Sequence, residues 1–324
     1  MTWLITGGAG YIGSHVVLET LKSGRDIVVL DDLSTGFESR LPPNLPFEKV
    51  TLTDRESVFR VFEKYKFTGV LHLAAKKQVG ESIIRPDYYW EENVVGLQNL
   101  VDAMVEHNVE NFVFSSSASV YGQPALRADE LISENIECIP INPYGETKLE
   151  GERMAEKLAV NFDFKVAALR YFNVAGSGRL ELGDVQVQNL IPIIFDALDR
   201  GEQPIVFGND YETLDGSCIR DYVHVRDLAE AHVSAMVFVE RSGAGFSAIN
   251  IGTGTGSSVL EVIRMIQDVT GASLDPAIGS RRIGDPAALV ADIARAKEIL
   301  NWTSSLRLRE IVSSAWDAWR LSHR

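Results

Sequence analysis

The stretch GGAGYIG at positions 7–13 constrains the fold of this chain more than any other. The residues before it, 3–5, read as a short buried strand, and residues 11–21 have helical periodicity. A strand, a glycine-rich turn and a helix N-terminus together bind anions, because the first N–H groups of the helix lack acceptors and the helix dipole is positive there. The glycines let a pyrophosphate approach the backbone without meeting a β-carbon. This stretch therefore predicts the phosphate-binding turn of a dinucleotide site.

A second predicted strand with two acids at its end supports that interpretation. Residues 26–30 lead into Asp31 and Asp32, about where such sites place the carboxylate that binds a ribose 2′-hydroxyl. The alternative is an ordinary α/β turn followed by solvated acids. Because two carboxylates would repel a 2′-phosphate, the pair favours NAD over NADP.

Composition narrows the classes of partner. The 324 residues carry a formal net charge of −14, which argues against binding nucleic acid or a membrane surface through bulk charge. Cys138 and Cys218 have neither disulfide nor zinc spacing, so we expect a reducing cytoplasm. We expect no signal peptide and no membrane-spanning segment. We also expect no metal, and interpret His15, His72 and His224 as packing or hydrogen-bonding residues.

Strand and helix signals alternate through the first half of the chain. This pattern predicts an α/β fold, a Rossmann-type doubly wound parallel sheet with ligands at the carboxyl ends of its strands. Beyond it we expect a smaller mixed α/β substrate domain, so the predicted domains are residues 1–173 and 174–324, with some later segments returning to the large domain. The predicted strands are 3–5, 26–30, 47–52, 69–73, 112–114 and 164–169. The predicted helices are 11–21, 54–65, 86–107, 143–161, 190–200, 227–240 and 258–270.

Ser117, Tyr144 and Lys148 form the candidate catalytic set. The tyrosine and the lysine lie four positions apart at the start of a predicted helix, so they share one face. An ammonium beside a phenol favours the phenolate and is expected to bring its pKa from about 10 toward neutrality, where it acts as a general base. Ser117 ends the preceding strand, at the sheet edge where ligands bind. A tyrosine and a lysine four positions apart are common by chance, so the alternative is that both lie on a solvent-exposed helix face without a catalytic role.

Motifs along essentially the whole chain resemble those of one family. They are TGGAGYIGSH, DDLSTG, HLAAKKQVGES, FSSSASVYG, PYGETK, LRYFNVAG, GNDYETLDGSCIRDYVHVRDLA and RRIGDPA. In this order they resemble the extended short-chain dehydrogenase/reductases and, more narrowly, the bacterial UDP-glucose 4-epimerases. The resemblance implies an NAD-dependent isomerase that interconverts UDP-glucose and UDP-galactose through a transient 4-keto sugar. It also implies a homodimer that pairs through the helices at 86–107 and 143–161.

The same resemblance assigns residues to the reaction and to two ligands. Tyr144 would act as the acid/base at the sugar 4-hydroxyl, Lys148 would bind the nicotinamide ribose and tune Tyr144, and Ser117 would assist proton transfer. The residues implied to bind NAD are Gly7, Gly10, Tyr11, Ile12, Asp31, Asp32, Leu33, Thr35, Ala74, Lys77, Asn93, Tyr144, Lys148 and Tyr171. Those implied to bind the nucleotide sugar are Ser117, Tyr171, Phe172, Asn173, Asn189, Leu190, Phe207, Arg220, Tyr222, Arg282 and Asp285.

The side chains implied to bind the nucleotide sugar have the chemistry that such a ligand requires. Arg220 and Arg282 would offset the charge of a diphosphate, Phe207 would stack on a base, and Asp285 would accept from ribose hydroxyls. The structural alternatives are a core position for Phe207 and a surface ion pair between Arg220 and Asp221.

Two positions depart from the family pattern. Thr51 aligns where the family commonly has an acid that contacts adenine, with Asp54 as the alternative if the register shifts. Leu289 aligns where related enzymes often have a bulkier tyrosine, so the sugar pocket could admit an N-acetylated sugar. The alternatives to a UDP-glucose epimerase are an epimerase of UDP-N-acetylhexosamine or UDP-uronate, a nucleotide-sugar 4,6-dehydratase, and an NAD-sensing regulator. Ala118 and Ser119 argue against the dehydratase, which has acids there.

Overall fold

The computed structural model describes residues 1–124, 127, 129–282 and 284–323. Its strands, in chain order, are β1 (Thr2–Thr6), β2 (Asp26–Asp31), β3 (Phe47–Lys49), β4 (Gly69–His72), β5 (Asn111–Ser117), β6 (Lys165–Tyr171), β7 (Asn173–Ala175), β8 (Ile205–Phe207), β9 (Ile219–His224), β10 (Gly245–Ile251), β11 (Gly256–Ser258), β12 (Ala277–Gly279) and β13 (Ala288–Leu289). Its α-helices are α1 (Tyr11–Lys22), α2 (Arg55–Lys64), α3 (Val79–Ile84), α4 (Pro86–Trp90), α5 (Gly96–Glu106), α6 (Pro143–Phe162), α7 (Leu190–Asp199), α8 (Val225–Arg241), α9 (Val259–Thr270), α10 (Ala294–Leu300) and α11 (Leu308–Ser322).

A seven-stranded parallel sheet in the order β10-β6-β5-β4-β1-β2-β3 confirms the predicted fold class. Alternate strand residues face opposite sides, because a strand has a side-chain period of two. In β1, Leu4 packs with α2, α5 and α6 on one face, whereas Trp3 and Ile5 pack with α1, α8 and α10 on the other. Both faces are therefore covered, as a parallel sheet requires.

The second half of the chain builds a smaller set of strands around β9. β11 pairs with β9 in the antiparallel direction, β13 and β7 pair with β9 in parallel, and β8 pairs with β12. α7, α9 and α11 share a separate apolar core here. β10 and α8 instead join the large sheet and its helical layer. No helix among the described residues combines the length and the apolar character needed to cross a membrane.

Two predicted elements differ locally from the structure. The strand predicted over 47–52 ends at Lys49, because the following residues turn into α2, where Asp54 accepts a hydrogen bond from the Ser57 N–H at 3.1 Å. Asp54 is thus the N-cap of α2. The helix predicted over 86–107 is divided into α4, a π-helical turn at Glu91–Val95, and α5. Such a turn redirects side chains within a helix.

A buried carboxylate attaches the segment before α11 to α8. Asp227 is fully buried and accepts hydrogen bonds from the Ser305 N–H at 2.9 Å, the Ser305 hydroxyl at 2.8 Å and the Leu306 N–H at 2.9 Å. The indole of Trp302 donates to the Asp227 carbonyl at 3.0 Å. A carboxylate is stable in such a position only while these donors satisfy it.

We predict that Asp227→Ala lowers the free energy of unfolding by about 3 kcal/mol, because it leaves buried N–H donors without an acceptor. Urea unfolding followed by circular dichroism measures the loss. The control is Asp268→Ala, which removes an exposed carboxylate 3.6 Å from Arg309 and is expected to cost less than about 1 kcal/mol. Equal losses in the two variants would contradict this account.

Candidate active site

The glycine-rich turn joins β1 to α1 through positions that a larger residue cannot fill. Gly7 has φ +72°, and a β-carbon there would lie 2.6 Å from the Ala74 nitrogen. A β-carbon on Gly13 would lie 2.0 Å from the Gly7 carbonyl oxygen. Gly10 precedes α1 and no side chain caps the helix, so the N–H groups of its first turn remain available to an anion.

A cavity at the carboxyl ends of the strands contains most of the predicted NAD residues. Those that line it are Gly7, Gly10, Tyr11, Ile12, Asp31, Asp32, Thr35, Ala74, Lys77, Tyr144, Lys148 and Tyr171. Thr51 also lines the cavity, whereas Asp54 caps α2. A β-carbon added to Gly10 would lie at this wall. Its one close neighbour would be the Gly7 carbonyl oxygen, at 3.3 Å. The uncapped helix, the glycine wall and the acids beside it fit NAD.

The acids after β2 are held in place by backbone N–H groups. Asp31 accepts from the Ala9 N–H at 3.0 Å and from the Leu33 N–H at 2.9 Å, and Asp32 accepts from the Ser34 N–H at 2.8 Å. Burial raises the pKa of Asp31, while the two backbone hydrogen bonds oppose that shift. Each oxygen of Asp31 accepts one of these bonds and has a further lone pair for a ribose hydroxyl. In Asp32 the Oδ1 atom also accepts from the Ser34 hydroxyl at 2.6 Å, so its Oδ2 atom is the one available to a ribose.

Leu33 and Asn93 lie next to residues that line the cavity. Leu33 has φ +59°, and its N–H donates to Asp31. The Asn93 amide accepts from the Lys76 N–H at 2.8 Å and donates to the Lys76 carbonyl at 2.9 Å and to the Thr147 hydroxyl at 3.0 Å. It therefore fixes the backbone after β4 against α6.

The candidate catalytic residues lie at the junction of β5 and α6. Asn142 caps α6 by accepting from the Gly145 N–H at 2.9 Å, which places the buried Tyr144 in the first turn. Ser117 is the last residue of β5, and its hydroxyl interacts with the Tyr144 phenol. The Lys148 ammonium donates to the Ser115 carbonyl at 2.7 Å and is almost fully buried.

The expected lowering of the Tyr144 pKa by Lys148 is wrong. Burial raises the pKa of Tyr144, and the Ser117 hydroxyl lowers it, so the net direction is upward and not toward neutrality. Burial lowers the pKa of Lys148 to about 7, with the Glu152 carboxylate opposing the shift. Desolvation thus dominates both groups, because each is removed from water. Within this chain the pKa of Tyr144 is lowered by Ser117 and not by Lys148.

Sequence reasoning assigned no role to several cavity residues, among them Arg40, Lys76 and Ser115. The Ser115 hydroxyl hydrogen-bonds the Tyr171 hydroxyl, and Tyr171 lines the cavity. The signals for Lys76 and Ser115 were their places in two of the motifs, beside Lys77 and in the serine run at the end of β5. For Arg40 the sequence showed only a charged residue between two predicted strands.

Four predicted substrate residues form a separate group, the nucleotide-side cluster, which consists of Phe207, Arg220, Arg282 and Asp285. The Arg282 guanidinium lies 4.1 Å from the centre of the Phe207 ring. Arg220 forms a salt bridge with Asp285. The alternative pairing with Asp221 does not occur, because Asp221 is fully buried and accepts from the N–H groups of residues 253, 254 and 291.

The other implied substrate residues do not line the described cavity. Asn173 and Tyr222 are paired in the β7–β9 register, and Tyr222 is buried. Asn189 donates to Asp184 at 2.8 Å. Leu190, at the start of α7, packs against the core of the smaller strand set. Phe172 packs with Leu289, Ala118 and Val120 next to the end of β5.

The histidines have the hydrogen-bonding roles expected of them. His15 accepts from the Gly178 N–H at 2.9 Å, His72 hydrogen-bonds the Thr6 hydroxyl at 2.7 Å, and His224 accepts from the Arg226 N–H at 3.0 Å. Burial lowers the pKa of His15 to about 4 and that of His72 to about 3. Within the part of the chain that the structure describes, no three potential metal ligands are grouped.

The fold and the site define a dinucleotide-binding α/β protein with a tyrosine, a lysine and a serine at its cavity. Residues 3–252 match the NAD dependent epimerase/dehydratase family, and the chain belongs to it. The UDP-glucose 4-epimerase of Halalkalibacterium halodurans is 42% identical over 328 residues, covering 100% of this chain and 96% of that protein.

Two solved structures are similar over nearly their whole length. The UDP-glucose 4-epimerase of Stenotrophomonas maltophila, with bound NAD and formylated UDP-arabinopyranose, has a TM-score of 0.93 and 35% identity, covering 100% of this chain and 99% of that one. The UDP-glucose 4-epimerase of Brucella ovis in complex with NAD has a TM-score of 0.92 and 40% identity, covering 98% of each chain. The family predicted from the motifs is confirmed.

We predict that Gly7→Ala prevents stable NAD binding, because its β-carbon would collide with the Ala74 backbone at 2.6 Å and move the turn. The NAD content of the purified protein, measured after denaturation, checks this. Gly24→Ala is the matched control: Gly24 has φ +80°, so it carries similar backbone strain, but nothing lies within 4 Å of its added β-carbon. If both variants lost NAD, backbone strain alone would explain the effect, and the collision in the glycine-rich turn would not be needed.

Proposed function

We propose that this chain is a UDP-sugar 4-epimerase that interconverts UDP-glucose and UDP-galactose and retains NAD through turnover. The observation that carries this proposal is the placement of Tyr144. Its buried phenol lies beside the Ser117 hydroxyl and lines the same cavity as the glycine-rich turn and the acids after β2. A proton-transfer group and a dinucleotide site are thus adjacent.

The chain's own residues perform the proton transfer. The Tyr144 phenolate takes the proton from the sugar 4-hydroxyl and returns it to the same oxygen after C4 has inverted, so no proton is gained or lost overall. The Ser117 hydroxyl lowers the pKa of Tyr144 and so favours the phenolate. Lys148 is fixed at 2.7 Å from the Ser115 carbonyl, one helical turn after Tyr144. When bound, NAD supplies a reversible two-electron acceptor for C4.

The nucleotide-side cluster supports a nucleoside-diphosphate substrate. Arg220 and Arg282 supply two guanidinium groups on a chain of net charge −14, and a guanidinium binds phosphate oxygens in bidentate fashion. The Phe207 ring, with Arg282 at 4.1 Å, offers a surface on which a base stacks. Asp285 is placed by its salt bridge with Arg220 and can accept from ribose hydroxyls.

A second candidate is epimerisation of a UDP-N-acetylhexosamine. Leu289 is partly buried in β13, in register with Arg220, and a leucine there leaves more space than the tyrosine common in related enzymes. A UDP-uronate is a further candidate from the resemblance alone. The dehydratase alternative is disfavoured, because Ala118 and Ser119 follow Ser117 without an acid.

A cytoplasmic homodimer is also part of the proposal. Apolar side chains remain exposed on and beside the helices through which the family resemblance implies pairing. Trp90 in α4 is 46% exposed, and Val160 and Phe162 in α6 are 76% and 51% exposed. Ile83 and Ile84 in α3, directly before α4, are 63% and 80% exposed. Burial of these groups against a second copy would stabilise the pair through the hydrophobic effect.

We predict that Tyr144→Phe lowers kcat about 10²–10⁴-fold and leaves NAD bound, because it removes only the proton-transfer group. The assay incubates the protein separately with UDP-glucose, UDP-N-acetylglucosamine and UDP-glucuronate and identifies each product by NMR. Tyr65→Phe is the control, since Tyr65 donates to Glu48 at 2.8 Å away from the cavity. Full turnover by Tyr144→Phe would refute the assignment, and a 4-keto-6-deoxy product would favour the dehydratase.

We also predict that Ser117→Ala moves the acid limb of the kcat/KM profile to higher pH. The base form of Tyr144 is the phenolate, so activity rises as pH increases through its pKa, and Ser117 lowers that pKa. Removing the hydroxyl therefore raises the pKa at which activity appears. Ser23→Ala, which removes a hydroxyl that donates to the Thr20 carbonyl at 2.6 Å, is the control. An unmoved acid limb in Ser117→Ala would contradict this role.

A further inference from the structure

Lys76 is a partly buried cation at one corner of the dinucleotide cavity. Its side chain is 12% exposed, and its ammonium donates to the Ser34 hydroxyl at 2.6 Å. The same nitrogen lies 3.9 Å from Asp32 and 3.5 Å from Glu92, and 5.8 Å from the centre of the Tyr88 ring. One ammonium thus contacts groups from two separate segments of the chain.

These two segments form opposite sides of the corner. Asp32 and Ser34 follow β2, whereas Glu92 belongs to the π-helical turn between α4 and α5. The backbone of Lys76 is itself fixed, because the Asn93 amide makes hydrogen bonds to both its N–H and its carbonyl. The side chain therefore spans the space between the loop after β2 and the helical turn from a rigid base.

The charge balance at this corner depends on that one lysine. Asp32 and Glu92 both line the cavity with Lys76. Burial lowers the pKa of Lys76, but Asp32, Glu92 and Tyr88 together raise it by more, so the net direction is upward. Without the ammonium, two carboxylates would face each other across a partly buried space, and like charges there repel. Lys77 also lines the cavity and is exposed, whereas the Lys76 side chain is only 12% exposed and lies between the two acids.

The corner corresponds to the adenosine half of the ligand. A carboxylate at the end of the second strand binds the adenosine ribose in folds of this kind, and Asp31 and Asp32 end or follow β2 here. Residues 50–53 complete the same wall. We propose that Lys76 clasps the loop after β2 to the π-helical turn across the adenosine end of the cavity and thereby slows release of the dinucleotide. This rests on the NAD site used by the proposed function.

The experiment measures release of NAD from the holoenzyme in the absence of sugar, so its result does not depend on whether the chain epimerises. NAD remaining on the protein is determined at intervals after rapid gel filtration into NAD-free buffer. Lys76→Met is expected to release NAD about tenfold faster, since it removes a partly buried charged hydrogen bond and leaves two acids in repulsion. Lys76→Arg, which keeps the charge, is expected to release NAD nearly as slowly as the unaltered protein.

Lys64→Met is the matched control, because Lys64 forms an exposed salt bridge with Glu48 at 2.7 Å away from the cavity. Its release rate should equal that of the unaltered protein. Equal rates for Lys76→Met and the unaltered protein would overturn the proposal. If Lys76→Met does not fold, Glu92→Gln decides: faster release supports the clasp, and an unchanged rate overturns it.

Discussion

The structure depends most on the contact between the end of β5 and α6. Glu152 is buried and accepts from the Ser116 hydroxyl and from Arg170 at 2.8 Å, while Lys148, one turn earlier, donates to the Ser115 carbonyl at 2.7 Å. The next serine, Ser117, lowers the pKa of Tyr144 in the first turn of the same helix. The three consecutive serines that end β5 thus all act on residues of α6. Because removal of one member would leave a buried charge unpaired, the register between strand and helix is firmly specified.

The glycine-rich turn brings the other half of the site to the same edge of the sheet. β1 and β5 are parallel members of one sheet, with β4 between them, so their carboxyl ends open on one cavity. This arrangement lets a chain of net charge −14 bind an anionic cofactor. The positive potential comes from the N-terminus of α1 and from single cavity cations such as Arg40, and not from the protein as a whole.

The sequence was sufficient to predict the fold class and the family, and most of the NAD residues implied by the motifs line the cavity. These predictions rest on local signals: the glycine turn, alternating strand and helix patterns, and motifs whose spacing places side chains on one face. The irregular turn at Glu91–Val95 could not be predicted, because the apolar pattern of a π-helical turn resembles that of a continuous helix. That turn carries Asn93, whose side-chain amide fixes the backbone of Lys76.

The pKa of Tyr144 was outside the reach of sequence reasoning for a different reason. Proximity to Lys148 along a helix predicted a shift toward neutrality, but burial acts on the phenol and on the ammonium alike and disfavours the charged form of each. Burial is a property of the assembled fold and not of a four-residue spacing. The same limit applies to Arg220, whose sequence neighbour Asp221 is buried against the 253–254 turn, so its partner is the distant Asp285. Tertiary contacts therefore decide which charged residues pair in this protein. The sequence motifs identify the charged residues of the site but not the residue with which each one pairs.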